Sequence, residues 1–143
     1  MSVIQIVPES DFDRKRIGIF CLPGLETFIK PIAAHLEEKY AVRTCYSKSK
    51  AEIESVVGWC DLCFLEWCNE MAIEMTQNMP TLADKKVVVR LHSYEALSGH
   101  VQQINWSVVD SLLFVANHIR DIVLQQLPGL KNMVNIQVVP NGI

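Results

Sequence analysis

Six short runs rich in Val, Ile, Leu, Phe and Cys, at residues 17–22, 41–46, 62–65, 87–91, 112–115 and 136–139, recur along the chain, most of them separated by amphipathic stretches of helical length. No other feature constrains the fold as tightly. Strands of a parallel sheet covered on both faces read as continuous apolar runs, whereas a strand with one wet face alternates apolar and polar residues. The pattern therefore predicts a three-layer, Rossmann-like α/β domain over residues 16–139, with a mainly parallel sheet of six strands.

The intervening stretches carry helix signals. Between the first two runs, Phe28, Ile29, Ile32, Ala33 and Leu36 recur at helical spacing and are expected to face inward, with Pro31 in the first turn. Ser49 is placed to cap a helix that Gly58 would stop, and Asn117 to cap a helix over 118–127 that Pro128 and Gly129 would end. A Met-rich helix is expected near 70–78, ending at Pro80, its methionines filling the core. Residues 1–15 read as a lead-in, with a short strand at 3–7 followed by a charged connector. The final Pro140-Asn141-Gly142-Ile143 reads as a turn opening an interdomain linker, so the chain looks cut from something longer.

The 143 residues are half hydrophobic and suffice for one core. A net charge of −3 supplies no positive field, which argues against nucleic-acid binding. No apolar run approaches the ~18 residues of a membrane span, and no basic-then-apolar leader opens the chain. Five cysteines, an odd number, do not make a fully paired secreted framework. A cytoplasmic location is the expectation, which leaves the sequon Asn105-Trp106-Ser107 without consequence.

In open parallel sheets, ligands bind outside the carboxyl ends of the strands. The positions there are Gly24 after the first run, Glu66 and Trp67 after the third, His92, Ser93 and Tyr94 after the fourth, and Asn117 after the fifth. Of these, Gly24, Glu66, Ser93, Tyr94 and Asn117 are candidate substrate-binding residues. His92 is the candidate catalytic residue, because an imidazole at a strand's carboxyl end can meet a ligand hydroxyl or phosphate. The first loop has one glycine, too few for a dinucleotide fingerprint, and no Gly-Lys-Ser/Thr follows as a P-loop requires. Cys60, Cys63 and Cys68 suggest a metal or redox cluster, but a strand beginning near Cys60 would point thiols three residues apart to opposite faces. They are expected to be structural, with no metal site, although Cys68 near a helix N-terminus would have a lowered pKa.

Taken in order, the first strand with its Gly24 loop, Val87-Val88-Val89-Arg90-Leu91-His92-Ser93, Asp110-Ser111-Leu112-Leu113-Phe114-Val115-Ala116-Asn117 and the terminal Val138-Val139-Pro140-Asn141-Gly142-Ile143 resemble the N-terminal domain of group 1 glycosyltransferases of the GT-B fold. The resemblance covers residues 16–143, and its most specific part is the terminal VVPNGI. It implies a domain on the acceptor side of a cleft, completed by a second Rossmann-like domain that binds most of a nucleotide-sugar donor. That family's donor signature, a pair of glutamates with nearby Arg and Lys, lies in the second domain and has no counterpart here. The resemblance carries His92 to the reacting centre and Gly24 to a close-approach loop. The chain departs from the pattern in having one glycine in the first loop, Ser93 rather than Gly after the histidine, and Asn117 in place of a serine.

The resulting expectation is the acceptor-side domain of a glycosyltransferase, inactive alone, with no cofactor of its own. Its partners would be the missing donor domain and a sugar, lipid-linked or protein acceptor. The alternative is a non-enzymatic, flavodoxin-like module that binds a flavin or another small ligand, or regulates. A further expectation is self-association through the exposed interdomain face.

Overall fold

The computed structural model describes residues 14–140. The lead-in strand at 3–7 and the linker residues 141–143 lie outside them. Six strands, β1 (Arg16–Phe20), β2 (Ala41–Cys45), β3 (Leu62–Glu66), β4 (Lys86–Leu91), β5 (Ser111–Phe114) and β6 (Asn135–Val138), form one sheet in the order β2-β1-β3-β4-β5-β6. Every neighbouring pair is parallel. Four helices join them: α1 (Lys30–Leu36), α2 (Lys50–Trp59), α3 (Glu70–Asn78) and α4 (Asn117–Gln126). The β4–β5 crossover uses short 3-10 turns instead, Tyr94–Ala96 and Trp106–Val108. This is the three-layer Rossmann-like class that the alternation predicted.

Two aspartates set strand register at the amino edge. Asp61 Oδ2 accepts from the Arg16 amide of β1, and Asp110 Oδ2 from the Val87 amide of β4, at 3.0 and 2.8 Å. The main core lies on one face, where Ile53 and Val57 of α2, Met71 and Met75 of α3 and Ile119 and Val123 of α4 cover Cys63, Leu65, Val87, Val89, Leu112 and Phe114. On the other face, α1 closes a smaller cluster around Ile17, Ile19, Ile29 and Ala33. Over β4–β5 that second face carries the half-buried Val88 and Leu113, which no described helix covers, while Leu62 and Phe64 of β3 pack at the margin of the α1 cluster. The expectation of burial on both faces holds only beneath α1. Among the described residues no helix is long and apolar enough to cross a membrane.

Several local expectations need correction. Ser49 does cap α2, accepting from the Glu52 amide, but Gly58 does not stop it; the helix runs on to Trp59. Asn117 caps nothing: Ala116 occupies the N-cap position and Asn117 is the first helical residue of α4. Pro128 and Gly129 do follow the end of α4 at Gln126, as expected, and open another 3-10 turn. Phe28 does not face inward; it precedes α1 and remains 48% exposed. Cys60 and Cys63 converge, with their sulfurs 3.4 Å apart. The strand rule failed because Cys60 is the C-cap of α2 and lies before β3, so the period of two does not relate it to Cys63.

Candidate functional site

Glu66, the last residue of β3, pairs in register with Arg90 of β4. Their side chains form a forked ion pair, Nε to Oε1 at 2.7 Å and Nη2 to Oε2 at 2.6 Å, with side-chain exposures of 4% for Arg90 and 0% for Glu66. His92, two residues beyond Arg90 and so on the same face, brings Nε2 to 3.1 Å from Glu66 Oε2. Burial alone would raise the Glu66 pKa, but the hydrogen bonds and charges of Arg90 and His92 outweigh it and hold the carboxyl below its ordinary value. The cluster is a buried carboxylate between two cation-forming groups, at the edge of the sheet where ligands bind.

Trp67 covers it. Its indole stacks on the His92 ring with centroids 3.7 Å apart and planes 21° apart, and its Nε1 donates to the Leu25 carbonyl at 2.9 Å. The Trp67 backbone has φ 77°, in the left-handed region that bulky residues avoid at about 1–3 kcal/mol. Phe28 and Tyr94 flank the indole, with ring centroids 6.3 and 5.7 Å from it.

A second carboxylate holds the surrounding loops. Glu95, fully buried, accepts from the amides of Cys68 (3.0 Å), His92 (3.0 Å) and Ser93 (2.9 Å), tying the loop after β3 to the loop after β4. Beside it the buried Asn69 donates Nδ2 to the Tyr94 hydroxyl at 3.3 Å. Cys68 lies beneath, and burial, reinforced by Glu95, raises its thiol pKa. The lowered pKa expected from its place before α3 is therefore reversed, since desolvation outweighs a helix terminus for a group without exposure.

Of the residues singled out from sequence, Glu66, His92, Ser93 and Tyr94 come together here. Glu66 is engaged by Arg90 and His92 rather than open to a ligand, and His92 is 3% exposed beneath Trp67. Gly24 adopts φ 91° in the loop that Trp67 anchors, and its amide donates to Glu26 Oε1 at 2.7 Å. Asn117 is exposed at the start of α4. The roles of Arg90, Glu95, Trp67 and Phe28 were not read from the sequence. One signal for Arg90 was available, because residues two apart in a strand share a face, so Arg90 and His92 had to point the same way. Among the described residues no three His, Cys, Asp or Glu side chains are grouped to hold a metal ion.

What the fold and site define is a class: an open, all-parallel Rossmann-like domain with a buried Glu–Arg–His cluster under an aromatic cover at its carboxyl edge. No family model matches the chain, and neither does any curated protein or solved structure.

Proposed function

We propose that this chain is the acceptor-side domain of a GT-B glycosyltransferase, acting with a second domain that holds most of a nucleotide-sugar donor. The supporting observation is His92 at the carboxyl end of β4, its Nε2 3.1 Å from a Glu66 carboxylate that Arg90 charge-balances, where the sequence resemblance puts the reacting centre. In this reading Glu66 fixes the imidazole, and Trp67 stacks over it. The chain alone lacks donor-site electrostatics and is inactive by itself. The reading also places it in the cytoplasm, with no role in nucleic-acid binding.

The test is transfer of a labelled sugar by a polypeptide that joins this chain to the region encoded after residue 143. A second α/β domain with a glutamate pair and measurable transfer are expected, and His92→Ala should lower turnover at least about tenfold with the thermal transition retained. Unchanged turnover in a folded His92→Ala protein removes His92 from the site. Transfer by the 143-residue chain alone would overturn the division of labour.

One observation favours the flavodoxin-like alternative: the strand order β2-β1-β3-β4-β5 has its switch point between β1 and β3, as in flavin-binding domains. Against it, a flavin phosphate needs the backbone amides after β1, and there Glu26 already occupies the Gly24 amide with a carboxylate. Titration with FMN should show no tight binding; submicromolar affinity would favour this alternative over the transferase.

A further inference from the structure

We infer that Phe28, Trp67 and Tyr94 form a shelf that binds the C–H face of a neutral sugar ring; as an acceptor site, this rests on the transferase reading. Phe28 and Tyr94 lie with ring centroids 6.3 and 5.7 Å from that of Trp67, Phe28 also 5.4 Å from the His92 ring, and the two are 48% and 43% exposed. Large apolar side chains so exposed at a ligand-binding edge need a reason beyond packing. Trp67 is also locked: its backbone is in the left-handed region, its Nε1 is bound to Leu25 and its inner face rests on His92. Strain of this kind persists only where the surroundings enforce it, and here they hold the indole against the His92 ring.

The chemistry of the rim selects the ligand. An aromatic face is electron-rich and attracts the weakly positive C–H groups of an apolar surface. A pyranose presents such a face, ringed by hydroxyls. The Tyr94 oxygen accepts from Asn69 Nδ2, which leaves the phenolic proton to donate outward, and Asn69 Oδ1 beside it is buried with no hydrogen-bond partner among the described residues. A ligand hydroxyl at this point finds a donor in the Tyr94 phenol.

Charge argues against the other flat ligands. A nucleotide would bring phosphates to a rim where Lys30 faces Glu26 at 4.0 Å, His100 faces Glu70 at 2.8 Å and Arg90 is consumed by Glu66, so each of these basic groups is already engaged by a carboxylate. The rings are tilted 55° and 37° to the indole, so they form an open shelf and not the parallel slot that clamps a base. A neutral saccharide suits both the shape and the sign.

The experiment is NMR titration of the 15N-labelled 143-residue chain with maltotriose, cellotriose, glucose 6-phosphate and AMP, following the Trp67 indole resonance assigned through Trp67→Phe. At least one neutral trisaccharide should shift it at millimolar concentration, with the Trp59 and Trp106 indoles still. Phe28→Ala and Tyr94→Ala, both at exposed positions, should each weaken binding roughly three- to tenfold, the worth of one aromatic contact. The phosphorylated sugar and AMP should bind more weakly. The shelf is overturned if neither trisaccharide moves Trp67, if both alanine variants bind as the parent does, or if AMP binds best. Saccharide binding here with no transfer by the two-domain polypeptide would sink the transferase and leave the shelf. Transfer unaffected by Phe28→Ala and Tyr94→Ala would sink the shelf and leave the transferase.

Discussion

Replacing Arg90 with Met keeps the length and apolar stem of the side chain but strips Glu66 of its forked partner. The Glu66 side chain is wholly buried, and Arg90 supplies both of its shortest hydrogen bonds, at 2.6 and 2.7 Å. Leaving one charge of a buried pair without its partner costs about 3–5 kcal/mol, against about 0–1 for a surface pair. We expect a loss in the former range at pH 7, measured by urea unfolding followed by far-UV circular dichroism. The pH dependence has a definite sign. In the parent the Glu66 carboxyl is held below its usual value of 4.5, so its contribution is present above that pH and is lost as pH falls through the lowered folded value. In Arg90→Met, burial dominates and the folded pKa should rise, so the variant's penalty is greatest at high pH and is relieved by acid. The stability gap should therefore narrow steadily from pH 7 towards pH 4. Combining the change with Glu66→Leu removes the stranded charge and should restore most of the loss. A loss below about 1 kcal/mol at pH 7, or a gap that widens with acid, would refute the account of the cluster as a buried, mutually dependent pair.

Three further outcomes follow from other contacts. Gly18→Ala would set a Cβ 2.9 Å from Val56 Cγ1 and 3.1 Å from Cys60 Sγ, and should lower stability by about 1–3 kcal/mol in urea unfolding, with Val56→Ala in the same chain recovering part of it. Glu95→Ala leaves three buried-edge amides without an acceptor and should destabilise by at least about 3 kcal/mol, with faster hydrogen exchange at Cys68, His92 and Ser93; unchanged exchange there would show that Glu95 does not hold the loops. All five cysteines are buried, and burial pushes the Cys21 thiol up to about 12, so an aromatic disulfide reagent at pH 8 should react only as fast as the protein opens. A thiol that reacts at the rate of a free cysteine in native buffer would contradict this burial.

The strands and their sequence of connections were legible because burial writes itself into short-range pattern. Runs such as Val87-Val88-Val89 mark a strand even though the face that carries Val88 is only half-covered, and each of the six predicted runs coincides with an observed one to within a residue or two. His92 could be placed at a strand's carboxyl end for the same reason, since only the end of one apolar run had to be located. Local caps were less legible. Ser49 behaved as its type suggests, whereas Asn117 entered α4 as an ordinary helical residue because Ala116 took the capping backbone geometry.

What the sequence by itself determined was therefore the class of fold and the edge at which polar residues gather, because both depend on periodicity along a few neighbouring residues. Only the tertiary structure decided that β3 lies between β1 and β4, and with that neighbour relation came the Glu66–Arg90 pair, 24 residues apart in the chain. The same holds for Trp67 over His92 and for the three amides gathered by Glu95. Strand order and register are set by the packing of whole elements, and no local pattern encodes which buried charge will meet which.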